Sequence, residues 1–233
     1  MTLPKSTTFE FVDRGKISSI VLVHGWATDH RIFESLDLPF NYLVVTSLSI
    51  STFVQDLAAE LDRRDMGRVS LMGWSLGGFL AYEFAATHSN LINELVLVSI
   101  RRKYEKEKLE SIREALLSKK RGFLHWFYGE CFCNDDRMPG SKWNLFREYC
   151  KELSLGDLLD GLDYLERVEL LPEWLQAIEN ITIVHGEYDR ISPIEEARDI
   201  RIQLNQSQLI VVRGTGHLPF LEKNFGRYFL HDG

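Results

Sequence analysis

Cysteine is scarce in this chain, and its pattern excludes two architectures. Cys131, Cys133 and Cys150 are the three present. An odd count without paired metal-ligand spacing fits neither a disulfide framework nor a zinc module, and it reads as reduced thiols in a cytoplasmic protein. Long apolar runs are missing too. None reaches the length that a bilayer span needs, and Met1-Thr2-Leu3-Pro4-Lys5-Ser6 has no apolar signal core. No membrane association is expected. Positive charge is in short supply: 27 Lys and Arg against 34 Asp and Glu leave a net charge of −7. That balance argues against a wholesale nucleic-acid binder. No internal repeat, low-complexity linker, metal cluster or dinucleotide fingerprint is visible, so no cofactor and no metal are expected.

What is present is core material. Of the 233 residues, 45% are hydrophobic, enough for one sizeable core. Near-continuous apolar runs at 17–23, 42–48, 69–72, 94–99, 181–185 and 208–212 read as buried strands, with a short first strand near 7–12. Helical patterns at 52–65, 76–88, 194–204 and 219–231 alternate with them. Buried strands between helices mean a mainly parallel sheet covered on both faces, an α/β fold. The alternation breaks at 101–171, which is helical in pattern and rich in aromatics. It reads as a helical cap inserted into a core formed by residues 1–100 and 172–233. Most of its aromatics are expected to form the cap's own core and a minority to line a pocket. A monomer is expected.

The most informative motif is Gly73-Trp74-Ser75-Leu76-Gly77-Gly78. It follows a strand and opens a helix, the context of a nucleophile elbow. Side chains at Gly73 and Gly77 would crowd the flanking strand and helix, and the strained turn lifts the Ser75 hydroxyl clear of the sheet. The partners follow in the order expected of α/β-hydrolases, Ser then Asp then His. Asp189 lies in the loop after the strand at 181–185. Ser192, Pro193 and Glu195 then read as an N-cap, first helical residue and capping box. Glu187 is the rival acid; Asp189 is preferred because it sits at the loop centre. His217, flanked by Gly216 and Leu218-Pro219-Phe220, is the best base among His24, His30, His88, His125, His185 and His231. The early strand ends at His24-Gly25-Trp26. In this fold an oxyanion hole uses the amide after the nucleophile and one from that early loop, here Leu76 and Trp26. Together these residues support acyl transfer by a serine nucleophile.

Charge is unevenly placed. Residues 101–121 carry a net +5 in a chain of net −7. The segment is either a solvated helix face or a docking patch for an acidic partner.

His24-Gly25-Trp26, the elbow, Gly161-Leu162-Asp163-Tyr164-Leu165 before Leu170-Leu171, and Gly216-His217-Leu218-Pro219-Phe220 resemble the biotin-pathway carboxylesterases. These act on pimeloyl-[acyl-carrier protein] methyl ester. The resemblance runs over most of the chain and is weakest in the cap. It implies an α/β-hydrolase fold and hydrolysis of that methyl ester with release of methanol. It also implies an acyl-carrier protein as partner, Trp26 and Leu76 in the oxyanion hole, and Trp26 and Trp74 at the substrate. The chain departs from the family at Thr46-Ser47-Leu48-Ser49-Ile50-Ser51, which replaces a glycine-rich loop, so the pocket wall there is expected to differ. Two further readings stand beside it: another serine esterase or thioesterase, and a noncatalytic ligand receptor on the same scaffold. The intact Ser75, Asp189 and His217 argue against the receptor.

Overall fold

The computed structural model describes residues 6–132 and 140–229. Cys133, His231 and the last residues of the helix expected at 219–231 lie outside them. Seven strands form one sheet: β1 (Thr8–Val12), β2 (Ser19–Val23), β3 (Asn41–Ser47), β4 (Val69–Trp74), β5 (Ile92–Val98), β6 (Ile181–Gly186) and β7 (Ser207–Val212). Their order is β1-β3-β2-β4-β5-β6-β7. Only β1 runs antiparallel, against β3; the remaining pairs are parallel. β4 is buried at every position and β2 at all but its first. That is why both lack polar alternation: each faces helices on two sides.

Helices α1 (Phe53–Arg63), α2 (Leu76–Thr87) and α6 (Ile194–Gln203) pack on the sheet. In α1, Phe53, Leu57 and Leu61 recur every four residues and make one buried stripe. In α2 the apolar residues go all round, and nine of its residues are buried. It lies between the sheet and other elements rather than at the surface. Helices α3 (Lys106–Glu130), α4 (Gly140–Glu152) and α5 (Leu155–Arg167) fall between β5 and β6. α3 is kinked at Lys119, whose φ of −152° and ψ of 66° are non-helical.

Two local expectations are corrected. The segment from Pro219 does not form one helix. It makes short 3₁₀ turns at Pro219–Leu221 and Phe225–Phe229, broken where Asn224 takes a φ of 66°. Ser192 does not cap α6. Pro193 is the N-cap, and the Ser192 hydroxyl donates to the Ile100 carbonyl instead, at 3.1 Å. A buried serine beside the end of β5 finds a stronger claim there than at its own helix.

The sheet's C-terminal edge is closed by backbone contacts that glycine alone permits. A Cβ at Gly186, the end of β6, would stand 1.9 Å from the Gly216 carbonyl oxygen. This contact presses the loop after β6 against the loop after β7. Gly186→Ala is therefore expected to cost more than ~2 kcal/mol of stability, since backbone on both sides must move. Gly129 in α3 has nothing within 4 Å of such a Cβ, and Gly129→Ala is expected to be neutral or to stabilise by up to ~1 kcal/mol. Urea unfolding of the two variants checks both.

Candidate active site

In a parallel sheet every strand delivers its following loop to one edge, and groups from distant sequence meet there. β2 pairs with β4, and Val23 lies opposite Gly73. The loop carrying Trp26 and the turn carrying Ser75 therefore emerge side by side. The turn is as tight as its glycines allow. A Cβ on Gly73 would meet the Gly77 carbonyl at 2.2 Å, and one on Gly77 would meet the Val23 carbonyl at 2.3 Å. Ser75 sits at φ 55°, ψ −117°, a strained conformation that costs ~1–3 kcal/mol and needs surrounding structure to hold it. Part of that support is the Ser75 N–H, which donates to Val98 on β5 at 2.9 Å.

The loops after β6 and β7 bring the other two groups. The Ser75 hydroxyl lies 3.0 Å from His217 Nε2, and His217 Nδ1 lies 2.8 Å from Asp189 Oδ2. A carboxylate only accepts, so Nδ1 carries the proton and Nε2 accepts from Ser75. The three residues are almost fully buried. Asp189 Oδ1 accepts two backbone amides, from Ile191 and Ser192, each at 2.9 Å. Burial alone would raise the Asp189 pKa. The interactions with His217 and His185 and the hydrogen bond of the Ser192 amide outweigh it and hold the carboxyl below its ordinary value. The rival Glu187 is turned away and accepts the Gly214 amide at 2.9 Å.

His217 is clamped through its backbone. Its N–H donates to the Cys131 carbonyl at the end of α3, at 2.8 Å. Its own carbonyl accepts the Trp74 indole N–H at 2.7 Å. This corrects the expectation for Trp74. Trp74 is 1% exposed, packs against the His217 ring at 5.5 Å, and is not among the residues that line the cavity at Ser75. His185 is also buried; its Nε2 lies 2.7 Å from the Ser192 carbonyl and 3.4 Å from Asp189. Burial lowers its pKa, so it serves as a neutral donor in the acid's loop.

Trp26 reaches the site from both ends. Leu76 opens α2, where a first-turn amide has no acceptor one turn back, and the Trp26 amide takes no acceptor among the described hydrogen bonds. The Trp26 ring packs edge-on against Phe127 at 5.1 Å, and its indole donates to Leu158 of α5 at 2.9 Å. The next residue, Ala27, has a φ of 59°, and its carbonyl accepts the Tyr128 hydroxyl. Tyr149 donates to Asp29 Oδ1 at 3.1 Å. Helices α3 and α4 thus pin the loop that carries Trp26.

A cavity of about 390 Å³ opens at Ser75, lined largely by apolar side chains from α3 and α5 and by Trp26. Of the aromatics noted in the sequence, Phe123, Trp126 and Phe127 line it. Tyr128, Phe146 and Tyr149 instead pack against one another away from it, Tyr128 stacked on Phe146 and Phe146 edge-on to Tyr149. A smaller cavity, about 250 Å³, lies against Trp26 and Leu76 and is walled by Thr46, Ser47, Leu48 and Ile50. The wall that the sequence marked as unusual is therefore at this second space. Sequence reasoning missed Tyr104, which also lines the larger cavity. It stands in a charged stretch without periodicity; its place just after a strand's C-terminal end was the available signal. Among the described residues no three His, Cys, Asp or Glu side chains converge as a metal site requires.

An alpha/beta hydrolase family model matches residues 20–228. The chain belongs to the alpha/beta hydrolase family. Among its relatives is the pimeloyl-[acyl-carrier protein] methyl ester esterase of Vibrio parahaemolyticus, 26% identical, covering 94% of each chain. The AB hydrolase superfamily protein YisY of Bacillus subtilis is 24% identical over 91% of this chain and 89% of its own. Among solved structures, an esterase from Exiguobacterium antarcticum superposes with a TM-score of 0.84 at 21% identity, over 96% of this chain and 94% of its own. The bromoperoxidase of Bacillus anthracis gives 0.83 at 20% identity, over 95% and 93%. At such identities these structures attest the fold.

The lowered Asp189 pKa has a consequence for stability. A depressed carboxyl stabilises the fold above its ordinary pKa, and that contribution is lost as pH falls through the lowered value. Asp189→Asn should abolish that acid-side slope in a pH series of urea unfolding. It should also lower kcat by about 10⁴, because an amide can hold the wrong imidazole tautomer.

Proposed function

We propose that this carboxylester hydrolase works through Ser75 as nucleophile, His217 as base and Asp189 as its orienting acid. Residues 101–171 act as its cap, and its substrate is the methyl ester of pimeloyl-[acyl-carrier protein]. The observation that carries the mechanism is the hydrogen-bonded chain from Ser75 through His217 to Asp189. Ser75 Oγ attacks the ester carbonyl while its proton passes to His217 Nε2. The Trp26 and Leu76 amides receive the oxyanion. His217 then protonates the departing methoxide, and methanol leaves. Water repeats the sequence on the acyl-enzyme and frees the acid. Asp189 keeps Nδ1 protonated and stabilises the imidazolium.

The substrate is supported by the named relative and by the cavity. Its volume of about 390 Å³ falls in the range of small-molecule sites. An acyl chain of about five methylenes could gain at most ~4 kcal/mol by burial against such walls, at ~0.8 per CH₂. The basic segment is a weaker support than its composition suggests. Arg101 pairs with Glu196, Arg102 with Glu169, Lys106 with Glu166, and Arg113 with Asp163. Lys120 donates to the Leu153 carbonyl. Lys108, Lys119 and Arg121 are left exposed and outside any described ion pair. This internal neutralisation favours a second reading, an esterase for small free esters, more than the sequence did.

Two experiments decide. Ser75→Ala should lower kcat by roughly 10⁴ to 10⁶ with the fold intact, and a serine-directed phosphonate should label Ser75 alone. Labelling elsewhere, with the alanine variant active, removes the mechanism.

Carrier recognition is tested by charge. Single exposed charges contribute ~0–1 kcal/mol and act mainly on association rate. Reversing Lys119 and Arg121, which do not line the cavity at Ser75, to Glu should raise KM for a carrier-bound ester and flatten its salt dependence, with a small neutral ester hardly affected. Equal loss on both substrates would make the segment structural.

A further inference from the structure

Among the described residues, the cavity at Ser75 has one charged side chain in its wall, Lys108. Its place follows from the pitch of α3. Lys108, Ser111, Ile112 and Ala115 recur at spacings of three and four, and they line the cavity together. Lys106 and Arg113 lie one heptad apart on another face and pair with Glu166 and Asp163 of α5. Arg101, Arg102 and Lys103 are engaged by Glu196 and Glu169. Of the bases from Arg101 to Arg113, Lys108 alone stands outside any described ion pair. Glu105 is the one acid three or four residues from it, and Glu105 is paired with Arg101 at 3.3 Å.

A lysine on a helix surface is ordinarily a solvated group of small effect. Two features set this one apart. Its stem can lie along the apolar wall beside Ile112 and Ala115 while the ammonium stays at the exposed mouth. A cleft with low-dielectric walls also concentrates the field of a charge at its rim. No carboxylate lines this cavity to cancel that field; Ser75, Tyr104 and Ser111 are its other polar groups. In a chain of net −7, the approach to Ser75 is thus marked by a single unopposed positive charge.

We infer that Lys108 is a specificity-determining residue, receiving an anionic group at the far end of the acyl chain whose ester lies at Ser75. The inference rests on the serine mechanism proposed above and names the substrate class as esters with an anionic tail. Two sources supply that chemistry: the carboxylate of a free dicarboxylic half-ester, or the phosphate on a carrier's prosthetic arm. The ammonium holds the tail equally before and during the reaction, so its effect falls on KM and leaves kcat alone.

The test compares tails within one enzyme, so a general disturbance of the rim cancels. Monomethyl pimelate is set against the same ester with its free acid made a primary amide. The methyl ester of pimeloyl-phosphopantetheine is set against its dephosphorylated form. The wild type should favour the anionic member of at least one pair by about five-fold in kcat/KM, the size of one ion pair at a protein surface. The preference should appear in KM and shrink as salt rises. Lys108→Met keeps the stem, removes the charge and should abolish the preference. Lys108→Arg should retain it, and Lys108→Glu should reverse it. A preference for the half-ester identifies a free diacid and one for the phosphorylated arm a carrier; either supports the inference. If the wild type treats both pairs alike, or if Lys108→Met keeps the preference, the inference is wrong. Failure of a serine-directed phosphonate to label wild-type Ser75 would instead overturn the serine mechanism on which it rests.

Discussion

The site depends on one steric fact, the approach of the β4–α2 turn to the end of β2. A Cβ on Gly77 would lie 2.3 Å from the Val23 carbonyl oxygen. Glycine lets the helix start against the neighbouring strand, and this sets Leu76 beside the Trp26 loop. With the turn that tight, Ser75 must take a positive φ, and its side chain has one way to point. The strain is supported by a sheet whose central strands are almost wholly buried. The core therefore does more than stabilise: it forces a hydroxyl out of a place where the backbone would not choose to hold it.

The loops that meet at the candidate site were legible in the sequence because each carries a local signal that a parallel sheet turns into proximity. Apolar runs located the strands, and strand ends located Ser75, Asp189 and His217. Choosing Asp189 over Glu187 rested on loop position; in the structure Asp189 bonds His217 while Glu187 accepts the Gly214 amide. What the sequence could not carry was long-range partnership. Trp74 looked like a pocket residue and stands behind His217, bonded to its carbonyl. Ser192 looked like a helix cap and serves the end of β5. Neither choice is local, since each is made by a carbonyl far away in the chain.

Charge misled for the same reason. Residues 101–121 look strongly basic along the chain, yet acids on α5 and α6 face them across the fold. Net charge along a sequence measures surface potential only when partners lie within the same window. The aromatics behaved more simply. Those of α3 nearest Trp26 line the cavity, and Tyr128 of α3 packs with Phe146 and Tyr149 of α4 in the core beneath it.

Trp26 ties these parts together in a way that bears on how such proteins diversify. Its loop runs beside the turn that carries Ser75, and its indole is bonded to Leu158 in α5. Gly161, one turn on, has no room for a side chain because Trp26 Cδ1 would lie 2.5 Å from its Cβ. The helical insertion is thus not an interchangeable module. A segment transplanted from a relative would have to supply both an accepting carbonyl and a glycine at matching positions, or the Trp26 indole would lose its anchor. Lineages that replace the insertion must carry those two features along or change the tryptophan at the same time.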